Sequence, residues 1–148
     1  MPERKEKVEA FVKKVLERLG IEATVDWKDK DAQETLDIHG DDASILLANG
    51  AKVLYSIEYL ANLIYGERDA SRVVLDCNDF RALRSYELEL LAKKAAEKVK
   101  TSQRPFPLQP MPANERRIIH LTLVEDPQVK TESQGFGDNR RVVIMPSK

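Results

Sequence analysis

The spacing most suggestive of chemistry in this 148-residue chain lies in Glu115-Arg116-Arg117-Ile118-Ile119-His120. Arg116 and His120 are four apart, which on a helix places them on one face about one turn apart. A guanidinium offers a planar fork of donors to a phosphate, and a neighbouring imidazole adds a hydrogen bond, or a charge when protonated. Spacing alone leaves a solvated helix face as the blander alternative. Further downstream, Arg140 and Arg141 are adjacent in a strand pattern, so they point to opposite faces and only one can join a given patch. Phe136 stands between Gly135 and Gly137 at a predicted hairpin tip, placed either to stack on a base or to pack. Arg81, Arg84, Lys93 and Lys94 either extend a basic surface along a helix or are simply solvated. Upstream, the loop Ala48-Asn49-Gly50-Ala51 joins a short apolar run to an amphipathic stretch and carries no charge.

Catalysis finds little support. No Ser/His/Asp or Cys/His constellation stands out, and there is no Walker loop or dinucleotide fingerprint. Two histidines and one cysteine do not make the usual ligand set of a zinc site, and nothing pairs the many carboxylates for magnesium. His39 falls in a predicted strand of an acidic region and reads as structural or exposed. A non-catalytic protein with no cofactor and no metal is expected.

Hydrophobic residues make up 42% and charged residues 33%, the balance of a globular chain rather than a disordered one. Cys77 is the single cysteine, which excludes an internal disulfide and suits a reducing cytoplasm. No apolar run approaches the roughly 18 residues of a transmembrane span, and the first twenty residues lack the apolar core of a signal peptide. A cytoplasmic protein is expected. The net charge of −1 hides an asymmetry: residues 1–78 sum to −5 and residues 79–148 to +4. Nucleic acid therefore suits the second half better than the first.

The elements that must position these residues follow from periodicity. Val8, Phe11, Val12, Val15, Leu16 and Leu19 recur at helical spacing and end at Gly20. Strands are predicted over Ile21–Trp27 and Thr35–His39, with a charged turn over Lys28–Ala32. A short helix follows over Ala43–Leu47. Leu54, Ile57, Leu60, Ala61 and Ile64 then line one face of a helix ending at Gly66, and Tyr55, Tyr59 and Tyr65 read as core and rim packing around it. Arg72–Asp76 is a buried strand. Asp79 can cap a long helix whose apolar stripe is Leu88, Leu91, Ala95 and Val99, leaving Arg81, Arg84, Lys93, Lys94, Lys98 and Lys100 toward solvent. The proline-rich Arg104–Pro112 segment is irregular or an edge strand. A helix over Pro112–Leu123 and a hairpin of Val129–Ser133 with Arg140–Pro146 complete the chain.

The stretches FPLQPMPANERRIIHLTL and VKTESQGFGDNRRVVIMP closely resemble the R-3-H domain, named for its Arg-x-x-x-His motif. The unit ahead of them, helix-strand-strand-helix-helix-strand, resembles a type II KH domain. In that order the two are similar to the bacterial Jag family of SpoIIIJ-associated proteins, also called KhpB or EloR. The resemblance implies an α+β fold: a type II KH-like domain over residues 1–78 and a small α/β R-3-H domain over residues 79–148. It implies single-stranded nucleic acid, chiefly RNA with single-stranded DNA as the alternative, bound through Arg116 and His120. Arg117 and Arg140 or Arg141 would add surrounding positive field. It also implies a regulatory role and pairing with a small single-KH protein.

Two departures are visible. Many relatives carry an N-terminal Jag domain, whereas this sequence starts at the KH helix. The family's G-x-x-G loop falls on Ala48-Asn49-Gly50-Ala51, with alanine at both glycine positions and no basic residue between. A KH loop clamps phosphates by close backbone approach, which alanine's methyl and its dislike of positive φ oppose. The expectation is an RNA-binding protein that works mainly through its second domain. A second reading stays open, in which the KH-like unit is a protein-interaction or dimerisation module and RNA binding is secondary.

Overall fold

The computed structural model describes residues 2–30, 33–68 and 70–148. The chain divides into two compact units, Met1–Arg81 and Ala82–Lys148. The fold is α+β, as expected.

In the first unit, α1 (Pro2–Arg18) buries Val8, Val12 and Leu16, the four-residue repeat that its sequence announces. Strands β1 (Thr24–Lys30) and β2 (Gln33–His39) are antiparallel, and β3 (Val74–Cys77) lies parallel to β2. Both hairpin strands run further into the charged segment than their apolar pattern suggests; Asp31 and Ala32 of the expected turn lie outside the described residues. Register sets Leu36 beside Leu75 and Ile38 beside Cys77, and all four are fully buried. Each such side chain removed from water contributes roughly 1.5–3 kcal/mol, upper values for a compact unfolded chain. The alternate positions form a row of Asp26, Asp37 and Asp76 across the three strands. Fully buried Asp37 is ion-paired with Lys28, and His39 Nε2 lies 3.8 Å from it.

The expected helix after Gly40 is a 3-10 turn, Asp42–Leu47, which leads into α2 (Ala48–Tyr65). Leu54, Ile57 and Ala61 of α2 are buried as expected. Leu60 and Ile64 are not: they are 44% and 55% exposed, beside Tyr59 and Leu63 at 62% and 65%. Periodicity counted them as core because they are apolar, whereas the buried stripe is narrower. Tyr59 is likewise no packing residue, unlike Tyr55 and Tyr65, which lie against the core. Arg4 is the opposite surprise, a charged residue only 7% exposed. Its Nε donates to the Tyr65 carbonyl at 3.2 Å and its Nη2 to the Ser71 carbonyl at 2.9 Å, while Nη1 meets Glu34 at 3.2 Å.

Helix α3 (Phe80–Ser102) follows. Its amide at Arg81 donates 3.1 Å to the Asp76 carboxylate, which also receives the Cys77 amide. The division between units falls inside α3. Its buried stripe is Leu88, Ala92, Ala95, Ala96 and Val99; the alanines let the helix sit close on its neighbours, and Leu91, expected in the stripe, is 40% exposed.

The second unit adds β4 (Phe106–Pro107), α4 (Ala113–Leu123), β5 (Val129–Gln134) and β6 (Arg141–Pro146). The sheet is antiparallel in the order β4-β6-β5, so the proline-rich strand takes an edge, where a missing N–H costs no ladder bond. Ile119 and Leu123 of α4 join Val142 and Ile144 of β6 in one core with the α3 stripe.

Candidate nucleic-acid interface

Helix α4 begins after Pro112, whose carbonyl accepts the Glu115 and Arg116 amides at 3.1 and 3.0 Å. Two contacts then fix its placement. Glu115 is 4% exposed and takes a two-pronged ion pair from Arg84 of α3, Nε to Oε1 at 2.9 Å and Nη2 to Oε2 at 3.1 Å. Arg116, half-buried, donates through Nη1 to the Met111 carbonyl at 2.7 Å. The Met111 amide donates in turn to the Arg140 carbonyl at 3.2 Å, and Arg140 Nη1 to the Gly135 carbonyl at 2.8 Å. A continuous path therefore joins Arg116 to the entry of β6 and to the hairpin tip. One donor of each guanidinium is engaged by these two bonds.

His120 lies one turn beyond Arg116, and both of its ring nitrogens have partners on β5. Nδ1 is 2.6 Å from Thr131 Oγ1 and Nε2 is 2.9 Å from Ser133 Oγ. In the neutral ring one nitrogen donates and the other accepts. Burial, and then the Arg116 charge, push the His120 pKa below its ordinary 6.5. The imidazole is thus neutral at pH 7, and the positive field here comes from arginines alone. The two hydroxyls, two residues apart and so on one strand face, are functional partners that the sequence reading passed over; the Thr131-Glu132-Ser133 alternation was the available signal.

A pH dependence follows. With the folded pKa below the unfolded one, the unfolded chain binds the extra proton first, so this stabilisation is complete above about pH 6.5 and lost as pH falls through the folded value. Urea unfolding of wild type and His120→Asn across pH 5–8 should show a rise in stability with pH in the wild type that is smaller in the variant. Equal slopes would disprove it.

Register resolves the paired arginines. Arg141 opposes Gln134 and shares a face with Val143, whereas Arg140 belongs by alternation to the side of Val142 and Ile144, on which α4 packs. Arg140 therefore lies on the α4 side of the sheet and Arg141 on the other. Arg117 is exposed. Of the α3 cations expected toward solvent, three are committed to ion pairs within the chain. Arg81 is bound to Glu58 and donates 2.7 Å to the Leu75 carbonyl, and Arg84 holds Glu115. Lys93 and Lys94 are exposed, Lys98 lies 4.6 Å from the Phe106 ring centroid, and Lys100 bridges Glu97 and Asp126.

The loop in the first unit keeps an unusual backbone. Asn49, Gly50 and Ala51 all have left-handed dihedrals, with φ of 54°, 72° and 59°. Ala51 is fully buried, Ala48, Asn49 and Gly50 are exposed, and the stretch carries no charge to draw a phosphate. Left-handed backbone costs a non-glycine residue about 1–2 kcal/mol, and a Cβ at Gly50 would meet nothing within 4 Å. Gly50→Ala should therefore lower stability by about 1 kcal/mol after the gain in unfolded-state stiffness, measured by urea unfolding. A neutral or stabilising result would contradict the left-handed turn.

Among the described residues, no group of three or more His, Cys, Asp or Glu side chains is placed to hold a metal. The Cys77 thiol is buried, donates 3.3 Å to the Ala43 carbonyl, and is pushed up to about 11 by burial and by the charges of Asp76 and Asp37. No helix among the described residues is long and apolar enough to cross a membrane.

Comparison with known proteins places part of this chain. Residues 87–146 match the R-3-H domain. Over 128 residues the chain is 36% identical to the RNA-binding protein KhpB of Clostridium symbiosum, covering 85% of this chain and 58% of that protein. The Bacillus subtilis protein of the same name is 33% identical over 121 residues, 78% of this chain and 58% of the relative. That of Lactiplantibacillus plantarum is 30% identical over 132 residues, 88% and 41%. The chain thus spans roughly half the length of the curated relatives it matches. The Arg116–His120 helix and the β5–β6 hairpin lie within the residues that match the R-3-H domain, in a chain similar over most of its length to bacterial proteins named RNA-binding protein KhpB.

Proposed function

We propose that this chain is a cytoplasmic Jag-type regulatory protein that binds single-stranded RNA without catalysing a reaction, and that its second unit does most of the binding. The observation that carries the reading is the hydrogen-bonded path Arg116–Met111–Arg140–Gly135, which ties both arginines to one backbone network next to the start of α4, where Arg117 is exposed. Arg116 and Arg140 hold phosphate as forks, and Arg117 adds field. His120 acts through its neutral ring, orienting α4 on β5. The first unit is read as a type II KH-like domain, supported by its helix-strand-strand-helix-helix-strand order and the parallel β2–β3 pair. Its uncharged loop contributes little to phosphate binding.

The test is binding of a short labelled single-stranded RNA, and the matching DNA, at several salt concentrations. Each phosphate contact contributes about −0.7 to the log–log salt slope for a single strand, so three contacts predict a slope of roughly −2. Arg117→Ala should reduce its magnitude by about 0.7, and Arg116→Ala should weaken binding further because the Met111 anchor is lost as well. Ala48→Gly/Ala51→Gly should leave affinity unchanged. Wild-type affinity from Arg116→Ala/Arg140→Ala would refute the assignment.

One observation favours a second role for the first unit. Tyr59, Leu60, Leu63 and Ile64 expose apolar surface along the end of α2. On this reading the face docks a second copy or a small KH-domain protein. Sedimentation of the chain alone and of Leu60→Glu/Leu63→Glu tests the first possibility directly.

A further inference from the structure

Phe136 is 90% exposed, the most exposed of the large apolar side chains described. Packing, one of the two roles its sequence position allowed, is therefore excluded. The tip that carries it is nevertheless well held. Gly135 takes a φ of 91°, and a Cβ there would approach the Asn139 carbonyl to 3.0 Å, so the turn is closed tightly around a glycine. The Asn139 amide donates to the Phe136 carbonyl at 3.1 Å and the Arg140 amide to the Gly137 carbonyl at 3.2 Å. Arg140 Nη1 ties the Gly135 carbonyl, and Arg141 Nε donates 3.3 Å to the Asn139 carbonyl. A benzyl group is thus presented to water on a turn braced by Asn139, Arg140 and Arg141.

We propose that Phe136 is a base-stacking residue, taking the face of one unpaired base while Arg140 holds the neighbouring phosphate. This rests on the nucleic-acid reading above and adds a contact that the Arg116–His120 helix does not supply. The placement fits: Phe136 directly follows Gly135, whose carbonyl takes Arg140 Nη1 at the end of the arginine path. An aromatic face takes any base, which makes the contact tolerant of sequence, and a duplex cannot offer an unstacked base to it.

The experiment compares the full chain with Phe136→Ala, Phe136→Trp and Arg116→Ala. Binding is read by fluorescence anisotropy with a labelled ten-nucleotide single-stranded RNA, the same strand made abasic throughout, and an RNA duplex of equal length. Phe136→Ala should weaken binding to the single strand by roughly 5- to 100-fold, as loss of one base–aromatic stack does. It should leave abasic-strand and duplex binding unchanged, while Phe136→Trp keeps the wild-type affinity. Its melting temperature should match the wild type, since a ring so exposed supports no packing. If Phe136→Ala binds the single strand as wild type does while Arg116→Ala does not, the stacking proposal fails and the RNA reading stands. If the loss extends equally to the abasic strand, or the melting temperature drops, the ring does not stack on bases. Failure of the wild type to bind any strand would instead overturn the RNA reading, and this proposal with it.

Discussion

Replacing Arg84 with methionine should lower the unfolding free energy by about 2–4 kcal/mol, the larger of two expected losses from buried arginine contacts. Glu115 is 4% exposed and both of its carboxylate oxygens face the Arg84 fork. Methionine keeps most of the aliphatic volume of arginine and removes the charge, so the loss reports the stranded carboxylate rather than lost packing. The range is set below that of a wholly buried pair because Arg84 is 35% exposed and water partly compensates. Arg84→Met/Glu115→Gln should recover part of the loss, since a neutral amide is cheaper to leave without a cation. Urea unfolding of the three proteins is the measurement. A single variant as stable as wild type would show the ion pair to be idle, and a double no better than the single would point to shape. The same substitution should weaken RNA binding although Arg84 is not placed among the phosphate contacts, because it loosens α4 from α3 at the turn carrying Arg116.

Arg4→Met should cost about 2–3 kcal/mol in the first unit. The guanidinium closes the C-terminal end of α2 at the Tyr65 carbonyl, ties the following loop at the Ser71 carbonyl, and pairs with Glu34. Removing it strands acceptors that the surrounding structure shields from water, and each orphaned group costs roughly 1–3 kcal/mol less whatever water re-enters to bond it. Arg4→Lys should recover little. Its ammonium is a point charge that cannot span two carbonyls and a carboxylate in the planar geometry seen here. Amide hydrogen exchange sharpens the test: the last turn of α2 and the Ser71–Val73 stretch should lose protection in Arg4→Met before β1 and β2 do. Uniform loss across the unit would mean that Arg4 acts through packing alone.

Much of the fold was legible because periodicity reports burial. Val8, Val12 and Leu16 announced α1, and the apolar run Val142–Ile144 after the glycine-bounded turn announced β6. Pattern reading went astray where apolar residues stay in water, as Leu60, Ile64 and Leu91 do, and where charged residues leave it. Arg4, Arg81 and Arg84 look like surface residues in sequence because their partners, Tyr65, Glu58 and Glu115, are 23 to 61 positions away. The candidate site shows the same division. Arg116 and His120 are visible through helical spacing, but what each touches is set by pairings across the sheet and along the proline-rich segment. The Met111 carbonyl and the Thr131 and Ser133 hydroxyls belong to elements that meet α4 only in three dimensions.

The order β4-β6-β5 carries a consequence for how the second unit comes into being. Neither β4 nor β5 touches the other in the ladder; each pairs with β6, and Phe106 waits for Ile144, 38 positions later. As a chain is synthesised, α3, β4, α4 and β5 are all made before any of this sheet can close, and the late arrival of one strand closes it on both sides at once. Arg140 immediately precedes that strand, and its carbonyl fixes the segment that Arg116 grips. A nascent chain therefore acquires Arg116 early and its geometry only at the end. Interruption anywhere before β6 leaves a basic, unfolded segment in place of a half-working domain.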